Sequence, residues 1–251
     1  MIYAHNPEKE RIEAVPGATG VCPGCGERLV PKCGEFKVWH WAHNGRHDCD
    51  DWHEPETEWH LGWKRLFGKE NCEVVMPPHR ADIYGNFNVV IELQHSSISP
   101  SEIRKREDFY KKMIWLVDAH PFAENLQFFR NRFKETDENG RSRWSAGGGL
   151  WRGDEFIMTW KRRQKRWCVD GGALQPVMLD LSNLEVKVTI GDPDFCRSDQ
   201  PYEAFKDSLF WIKSLYPEVL GGKFLSRQRL LDRYKPQIHS SETKLSTHLD
   251  Q

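Results

Sequence analysis

The sequence predicts an α/β protein that carries a small cysteine- and histidine-rich module at its N-terminus and an α+β extension at its C-terminus. The first 53 residues hold five of the eleven histidines and four of the seven cysteines. The next 80 or so residues follow helical and strand patterns in the order helix, three strands, helix, strand. After a polar, glycine-rich connector, short strand patterns precede one amphipathic stretch. We therefore predict residues 1–53 as the N-terminal module, 54–134 as the α/β core, 135–149 as a linker and 150–251 as the extension.

Composition narrows the class of protein further. The chain is 38% hydrophobic and 12% aromatic, which is enough for a globular core. It has no apolar run near the roughly 18–20 residues of a membrane span, and the N-terminus MIYAHNPEKE is charged where a signal peptide is apolar. We expect a cytoplasmic protein with reduced cysteines and no membrane contact. Because the net charge is −1, binding to a polyanion would depend on local clusters of basic residues.

The N-terminal module contains a metal-binding pattern. Cys22 and Cys25 form a CxxC turn, and His40 and His43 follow after fourteen intervening residues. Two thiolates and two imidazoles suit a tetrahedral Zn²⁺ ion, which would stabilise a segment too short to hold a core alone. The other nearby donors stay open as substitutes: Cys33, His47 and Cys49.

The next predicted element is a helix that opens at the acidic segment EPE, residues 54–56, and ends at Gly68. Glu56, His60 and Lys64 are spaced i, i+4 and i+8, and so form one stripe along it. Glu58 is the alternative to Glu56 if the helix is rotated.

Three predicted strands follow at residues 72–76, 80–84 and 88–94. Asp82 lies on the second, and Glu92 and Gln94 lie on one face of the third, opposite its apolar residues. Opposed residues share a face, so a two-residue turn would set Asp82 opposite Val89, on the wrong face. A three-residue loop over residues 85–87 or 86–88 would bring Asp82 to the face of Glu92, where two acids suit Mg²⁺ or Mn²⁺.

The remaining elements follow from capping and periodicity. The segment SPSE at 99–102 is a capping box that starts a helix to about residue 112. A buried strand is predicted at 113–118 and a helix at 121–134. Beyond the connector we predict strands at 155–162, 166–169 and 176–181, then a helix at 202–216 and a frayed tail from residue 237.

Basic residues cluster in three places. Arg162, Arg163 and Lys165 belong to a run of five bases in six residues beside Trp167, which suits contact with a nucleic-acid backbone. A solvated basic face is the other interpretation. Arg104, Lys105 and Arg106 form a second group. The third group is spread over the C-terminal region: Lys223, Arg227, Arg229, Arg233 and Lys235.

Several of these motifs together resemble one family. The segments CPGCGERLVPKCG and HWAH, the helical E…H…K stripe, and RADI…VIELQHSSIS…R…FY are similar to the competence protein CoiA-like family, a branch of the PD-(D/E)XK nuclease superfamily. The similarity runs over roughly residues 20–120. It implies a restriction-endonuclease-like core in which Asp82 and Glu92 ligate a catalytic Mg²⁺ or Mn²⁺ ion and Glu56 completes the acidic cluster.

The chain departs from the superfamily pattern at Gln94, where lysine is usual. Gln at this position is itself part of the resemblance to the CoiA-like branch. A neutral amide cannot supply the positive charge of a lysine, so Lys64 could supply it instead, while His60 could move protons near neutral pH.

We therefore expect a divalent-metal-dependent deoxyribonuclease with a structural zinc module. DNA is the expected partner, its strandedness is open, and a homodimer is one option for the assembly. The alternative is a zinc-containing DNA-binding or recombination accessory protein without catalysis, because Gln94 leaves room for a decayed site. A zinc-stabilised protein-interaction module is a third option.

Overall fold

A computed structural model of the chain describes residues 1–45, 49–52, 54–130, 141–143, 150–152, 156–160, 172–190, 202–215 and 220–237. Within these residues the chain is rich in strands and has three α-helices. The strands form a five-stranded sheet at the N-terminus, a nine-stranded sheet that follows it and a two-stranded pair.

The N-terminal sheet is built from short antiparallel strands in the order β2-β1-β3-β4-β5. Its small core surrounds the buried Trp41. Gly20 packs against this core so closely that a Cβ there would come within 2.7 Å of Cβ of Ala4. The strands are β1 (Tyr3–His5), β2 (Arg11–Glu13), β3 (Gly20–Val21), β4 (Arg28–Lys32) and β5 (His40–His43).

The next six elements have the predicted order of helix, three strands, helix and strand. They are α1 (Glu58–Phe67), β6 (Cys72–Met76), β7 (His79–Gly85), β8 (Val89–Gln94), α2 (Pro100–Tyr110) and β9 (Met113–Asp118). The predicted start of α1 at residue 54 is wrong, because the Thr57 side chain accepts the backbone N–H of His60 and caps the helix there. Its predicted end at Gly68 and the capping box of Ser99 and Glu102 are confirmed.

The C-terminal elements extend the same sheet. In chain order they are β10 (Leu126–Arg130), β11 (Arg141–Arg143), β12 (Leu150–Arg152), β13 (Phe156–Trp160), β14 (Val177–Ile190), β15 (Tyr202–Leu215), β16 (Leu220–Ser226) and α3 (Arg227–Tyr234). The strand order of the large sheet is β10-β13-β16-β15-β14-β9-β8-β7-β6. β14 runs parallel to β9, and it joins the elements after residue 150 to the predicted core. The division of the chain into four segments at residues 53, 134 and 149 stays a prediction.

The far part of this sheet closes on itself. β10 pairs with β13 and also with β14, so β10, β13, β16, β15 and β14 form a ring. The ring is filled by aromatic side chains whose centroids lie 4.5–5.3 Å apart, namely Phe128, Phe156, Phe205, Phe210 and Phe224. This packing buries the inner face of the C-terminal strands and anchors β14 next to β9.

Two helix predictions are wrong. Residues 121–134 form a short 3₁₀ turn, His120–Asn125, followed by β10, and residues 202–216 contain β15. β15 lies between β14 and β16, and the middle of the strand is buried on both faces, with Leu209 in one core and Phe210 in the other. Asp207 has a φ of 47° at an irregularity in the pairing, which breaks the alternation and gives a pattern like that of a helix.

Two further expectations have different outcomes. The basic segment 227–234 forms α3, a helix that the sequence analysis missed, with Leu230 and Leu231 buried in the same core as the apolar residues of α1. The strand predicted at 166–169 lies outside the described residues. None of the helices in the described part of the chain is long and apolar enough to cross a membrane.

Candidate active site and metal centre

Asp82 and Glu92 lie opposite each other on the hairpin of β7 and β8. The strands pair Ile83 with Ile91 and Gly85 with Val89, and one further step of this register sets Asp82 against Glu92. The loop covers the three residues Asn86–Asn88, where Phe87 and Asn88 have φ values of 62° and 56°. One of the two loops that the sequence analysis allowed is thus formed, and both acids lie on the same face of the sheet.

The two carboxylates replace part of the backbone ladder with side-chain contacts. Oε1 of Glu92 accepts the N–H of Asp82 at 3.3 Å, and Oδ2 of Asp82 accepts the N–H of Leu93 at 3.0 Å. Glu92 is 3% exposed. Burial and the charge of Asp82 raise the pKa of Glu92 to about 7, although Arg106 at 3.1 Å opposes this rise. A cation bound between the two acids would therefore favour the ionised form of Glu92.

Lys64, on α1, meets the acids from the side of the helix. Its ammonium donates to Oε1 of Glu56 at 2.7 Å and to Oε1 of Glu73 at 3.1 Å, and it lies 3.4 Å from Oδ1 of Asp82. Lys64 is only 1% exposed. Burial alone would lower its pKa, but the three carboxylates raise the pKa well above its usual value. Lys64 is therefore charged at neutral pH and compensates part of the acidic cluster.

Glu56 and His60 also face this site, whereas Glu58 is exposed at the start of α1. The buried Oε2 of Glu56 has no hydrogen-bond partner among the described residues. His60 is fixed through Nδ1, 2.8 Å from Oγ1 of Thr57, and its Nε2 lies 3.6 Å from Oε2 of Glu54. Burial opposes a charged imidazole, but Glu54 together with Asp82 and Glu56 raises the pKa of His60.

Gln94 is held by Glu54, a residue that the sequence analysis used only as a helix start. Nε2 of Gln94 donates to Oε1 of Glu54 and to the carbonyl of Ser96, while its buried Oε1 has no partner among the described residues. Glu54 also accepts the N–H of His95 at 3.1 Å. Burial opposes its ionisation, but His60, Ser96 and His95 lower the pKa of Glu54 to about 2. The glutamine thus faces a permanent carboxylate.

Two other site residues were missed or misinterpreted. Glu73, on β6, accepts the backbone N–H groups of Ile2 and Tyr3 in addition to the ammonium of Lys64. Arg106 was expected on a basic surface for nucleic acid, but it is 5% exposed and pairs with Glu92. No sequence signal marks Glu73, whereas the apolar residues on either side of Glu92 could have suggested that this acid needs a buried basic partner.

The N-terminal module brings four metal-ligating side chains together: Cys22, Cys25, His43 and Cys49. Their ligand atoms all lie within 4.8 Å of one another. His40, the predicted fourth ligand, is not in this group; Nδ1 of its ring donates to the carbonyl of Val38 at 2.8 Å. Cys49, one of the substitutes left open, takes its place. Cys33 is not in the group either, and His47 lies outside the described residues.

The geometry of this group fits a zinc ion. Zn–S and Zn–N bonds of about 2.3 and 2.0–2.1 Å place tetrahedral ligands about 3.5–3.8 Å apart. Sγ of Cys22 and Sγ of Cys49 are 3.6 Å apart, and Sγ of Cys25 is 3.3 Å from Nε2 of His43. Burial opposes ionisation of Cys22, but the N–H groups of Cys25 and Gly24 lower its pKa. These four residues could hold Zn²⁺.

A cleft of about 440 Å³ separates the N-terminal module from the acidic site. The module contributes Lys32, Lys37, His40 and His43 to its wall, and the core contributes Glu54, Glu56 and Arg80. The last three also line a smaller cavity together with Asp82 and Glu92. The cleft therefore leads directly to the paired acids.

The predicted DNA-binding residues Arg162, Arg163 and Lys165 lie outside the described residues. Of the third basic group, Arg229, Arg233 and Lys235 are exposed, on α3 or directly after it. Asn86 donates to the carbonyl of Lys235, so the end of α3 lies at the hairpin loop, the opposite end of β8 from Gln94.

Comparison with known proteins gives two matches along the chain. Residues 4–51 match the family described as competence protein CoiA, N-terminal domain, and residues 72–137 match competence protein CoiA, nuclease-like domain. No curated protein and no solved structure matches the chain. The first match covers the N-terminal sheet with its Cys/His group, and the second covers the strands that carry Asp82 and Glu92. Because both segments match in this order, the two matches support the similarity to the CoiA-like family of competence proteins.

Proposed function

We propose that the protein is a divalent-metal-dependent nuclease that hydrolyses phosphodiester bonds in DNA. The observation that carries this proposal is the facing pair Asp82 and Glu92, at the end of a cleft and with a negative charge that burial makes costly. Carboxylate oxygens are the ligands that Mg²⁺ and Mn²⁺ prefer. The order α1, β6, β7, β8, α2, β9 supports a restriction-endonuclease-like core of the PD-(D/E)XK type.

In this proposal Asp82 and Glu92 hold the catalytic cation, and the unpartnered Oε2 of Glu56 completes the acidic cluster. A bound cation would neutralise developing charge on the phosphate. Lys64 takes the role of the lysine that the superfamily has at the position of Gln94, since its ammonium already lies 3.4 Å from Asp82. Gln94 instead fixes Glu54, and Glu54 orients and charges His60, which could hold or release a proton at the cavity.

The Cys/His group serves a structural role in this proposal. A zinc ion held by Cys22, Cys25, His43 and Cys49 would fix β5 and the turn of Cys22–Cys25, and so the wall of the cleft. Arg162, Arg163 and Lys165 remain candidates for contact with the DNA backbone.

A second candidate is a DNA-binding accessory protein without catalysis. It is favoured by the ion pairs that Asp82 and Glu92 already make with Lys64 and Arg106, and by the neutral Gln94. The role in either case would belong to DNA processing during competence, recombination or defence.

The test is a cleavage assay on single-stranded circles and on plasmid, with Mg²⁺ or Mn²⁺ added to purified protein. We expect Asp82→Asn and Glu92→Gln to abolish cleavage while circular dichroism shows an intact fold. The control is Glu102→Gln, which changes an acid of the α2 capping box outside the cleft. Full cleavage by folded Glu92→Gln protein would eliminate the site, and a wild-type protein that binds DNA without cleaving any substrate would favour the accessory role.

A further inference from the structure

The loop between β4 and β5 presents two exposed aromatic side chains on either side of Lys37, which lines the cleft. Phe36 is 96% exposed and Trp39 is 46% exposed, and Lys37 lies between them in the sequence. An exposed aromatic ring keeps apolar surface in contact with water. Two such exposed rings on one short loop are therefore costly in free energy unless a partner covers them.

The loop is ordered in a way that suits a binding platform. Nε1 of Trp39 donates to the carbonyl of Gly34 at 3.1 Å, which fixes the indole ring across the loop and satisfies its only polar group. The ring therefore offers its surface without a further hydrogen-bonding requirement. A platform that is already fixed loses less conformational entropy when a flat ligand stacks on it.

Charge on the same side of the module favours an anionic ligand. Lys32, at the end of β4, and Lys37, in the loop, both line the cleft, and His40 lies beside them. Glu35 is the one acid of the loop. The cleft continues from these bases to Glu54 and Glu56, which also line the cavity of Asp82 and Glu92.

We propose that this loop binds an unpaired DNA strand and guides it along the cleft to the paired acids. Aromatic rings next to bases are the combination that recognises single strands, because the rings stack on exposed bases while lysines neutralise phosphates. Paired bases have no free faces for such stacking. This inference rests on the proposed function and adds its substrate class.

The experiment measures binding of the full-length protein to a fluorescent oligo(dT) and to a blunt duplex of the same length, with no magnesium or manganese added. We expect Phe36→Ala with Trp39→Ala to weaken oligo(dT) binding about tenfold or more and to change duplex binding little. Lys32→Ala with Lys37→Ala should reduce the slope of log affinity against log salt by ~0.7 for each phosphate that the lysines no longer neutralise. The matched control is Phe87→Ala, since Phe87 is 64% exposed on the loop between β7 and β8.

Equal losses for single strand and duplex, or the same loss in Phe87→Ala, would overturn the inference. So would unchanged oligo(dT) binding by the double aromatic variant with an unchanged circular dichroism spectrum. Since binding is measured without cleavage, absence of nuclease activity leaves this test intact. Conversely, a nuclease that cleaves equally well with and without both aromatic rings would retain the proposed function and lose this inference.

Discussion

The ammonium of Lys64 lies 3.1 Å from Oε1 of Glu73, and both groups are buried. Glu73 also accepts the backbone N–H groups of Ile2 and Tyr3. One carboxylate therefore connects the lysine of the acidic site to the first strand of the N-terminal module. The position of the module and the charge state of the site depend on the same residue.

We expect Glu73→Gln to lower the free energy of unfolding by about 3 kcal/mol, because the buried ammonium of Lys64 loses one of its carboxylate partners. Urea unfolding followed by fluorescence measures the change. Glu70→Gln is the matched control, since Glu70 lies on the surface near Lys69 and should change stability by less than about 0.5 kcal/mol. Equal stability of the wild type and Glu73→Gln would contradict the role of this ion pair.

The same carboxylate gives a pH dependence of stability. Burial opposes ionisation of Glu73, but Lys64 lowers its pKa well below the usual value of about 4.3. A carboxyl group whose pKa is lower in the folded state stabilises the fold fully above the unfolded pKa, and this contribution is lost as the pH falls. As the pH falls from 5 to 3, the difference in the free energy of unfolding between wild type and Glu73→Gln should therefore become smaller. Urea unfolding at each pH measures this difference.

Two substitutions distinguish the metal ligands that the structure brings together from those predicted by spacing. Cys49→Ser should lower the zinc content of the purified protein, because Cys49 lies 3.6 Å from Cys22 within the group. His40→Gln should leave the zinc content unchanged, since His40 is not one of the four clustered side chains. Elemental analysis of both proteins measures the difference. Loss of zinc in His40→Gln with full zinc in Cys49→Ser would instead favour the ligands predicted from spacing.

The pKa of His60 should fall when Glu54 is neutralised. Glu54→Gln removes the nearest carboxylate, 3.6 Å from Nε2, and leaves burial to disfavour the charged ring. A pH titration of the His60 ring signals by NMR measures the pKa, with Glu58→Gln as the control because Glu58 is exposed on the same helix. An unchanged pKa in Glu54→Gln would exclude Glu54 as the cause.

Gln94 allows a negative and a positive charge to be compared at one buried position. Gln94→Glu would place a second carboxylate against Glu54, so we expect a clear decrease in melting temperature. Gln94→Lys would place an ammonium there and should retain more stability, if the buried position accepts the longer side chain. Thermal unfolding of both proteins tests this order. A more stable Gln94→Glu protein would contradict the charge assigned to Glu54.

The sequence predicted the parts of the fold that depend on local signals. Short strand patterns indicated the strands that became β6 to β9. A three-residue loop containing Gly or Asn indicated the common face of Asp82 and Glu92. Local patterns failed for β15, where a bulge at Asp207 disturbs the alternation of a strand buried on both faces. They also missed α3, whose apolar stripe is narrow.

The missed site residues act over long distances in the sequence. Glu54 contacts Gln94 40 residues away, and Glu73 contacts Ile2 71 residues away. Such contacts depend on how the elements pack, which neither spacing nor periodicity contains. Burial explains the error on Arg106 in the same way, because a basic residue on a charged helix gives no sign that it faces Glu92.

The pairing of β14 with β9 determines how far the chain can be truncated from its C-terminus without exposing a strand edge. The match to the nuclease-like domain ends at residue 137, whereas among the described residues the outer partner of β9 is β14, through pairs such as Val177 with Trp115. A chain truncated after residue 137 would expose the backbone edge of β9, flanked by Trp115 and Leu116, and unpaired edges of this kind invite association between molecules. It would also remove Asp180, which accepts the indole N–H groups of Trp59 and Trp63 on α1. The smallest part of the chain that keeps this edge of β9 covered therefore extends well beyond the nuclease-like segment.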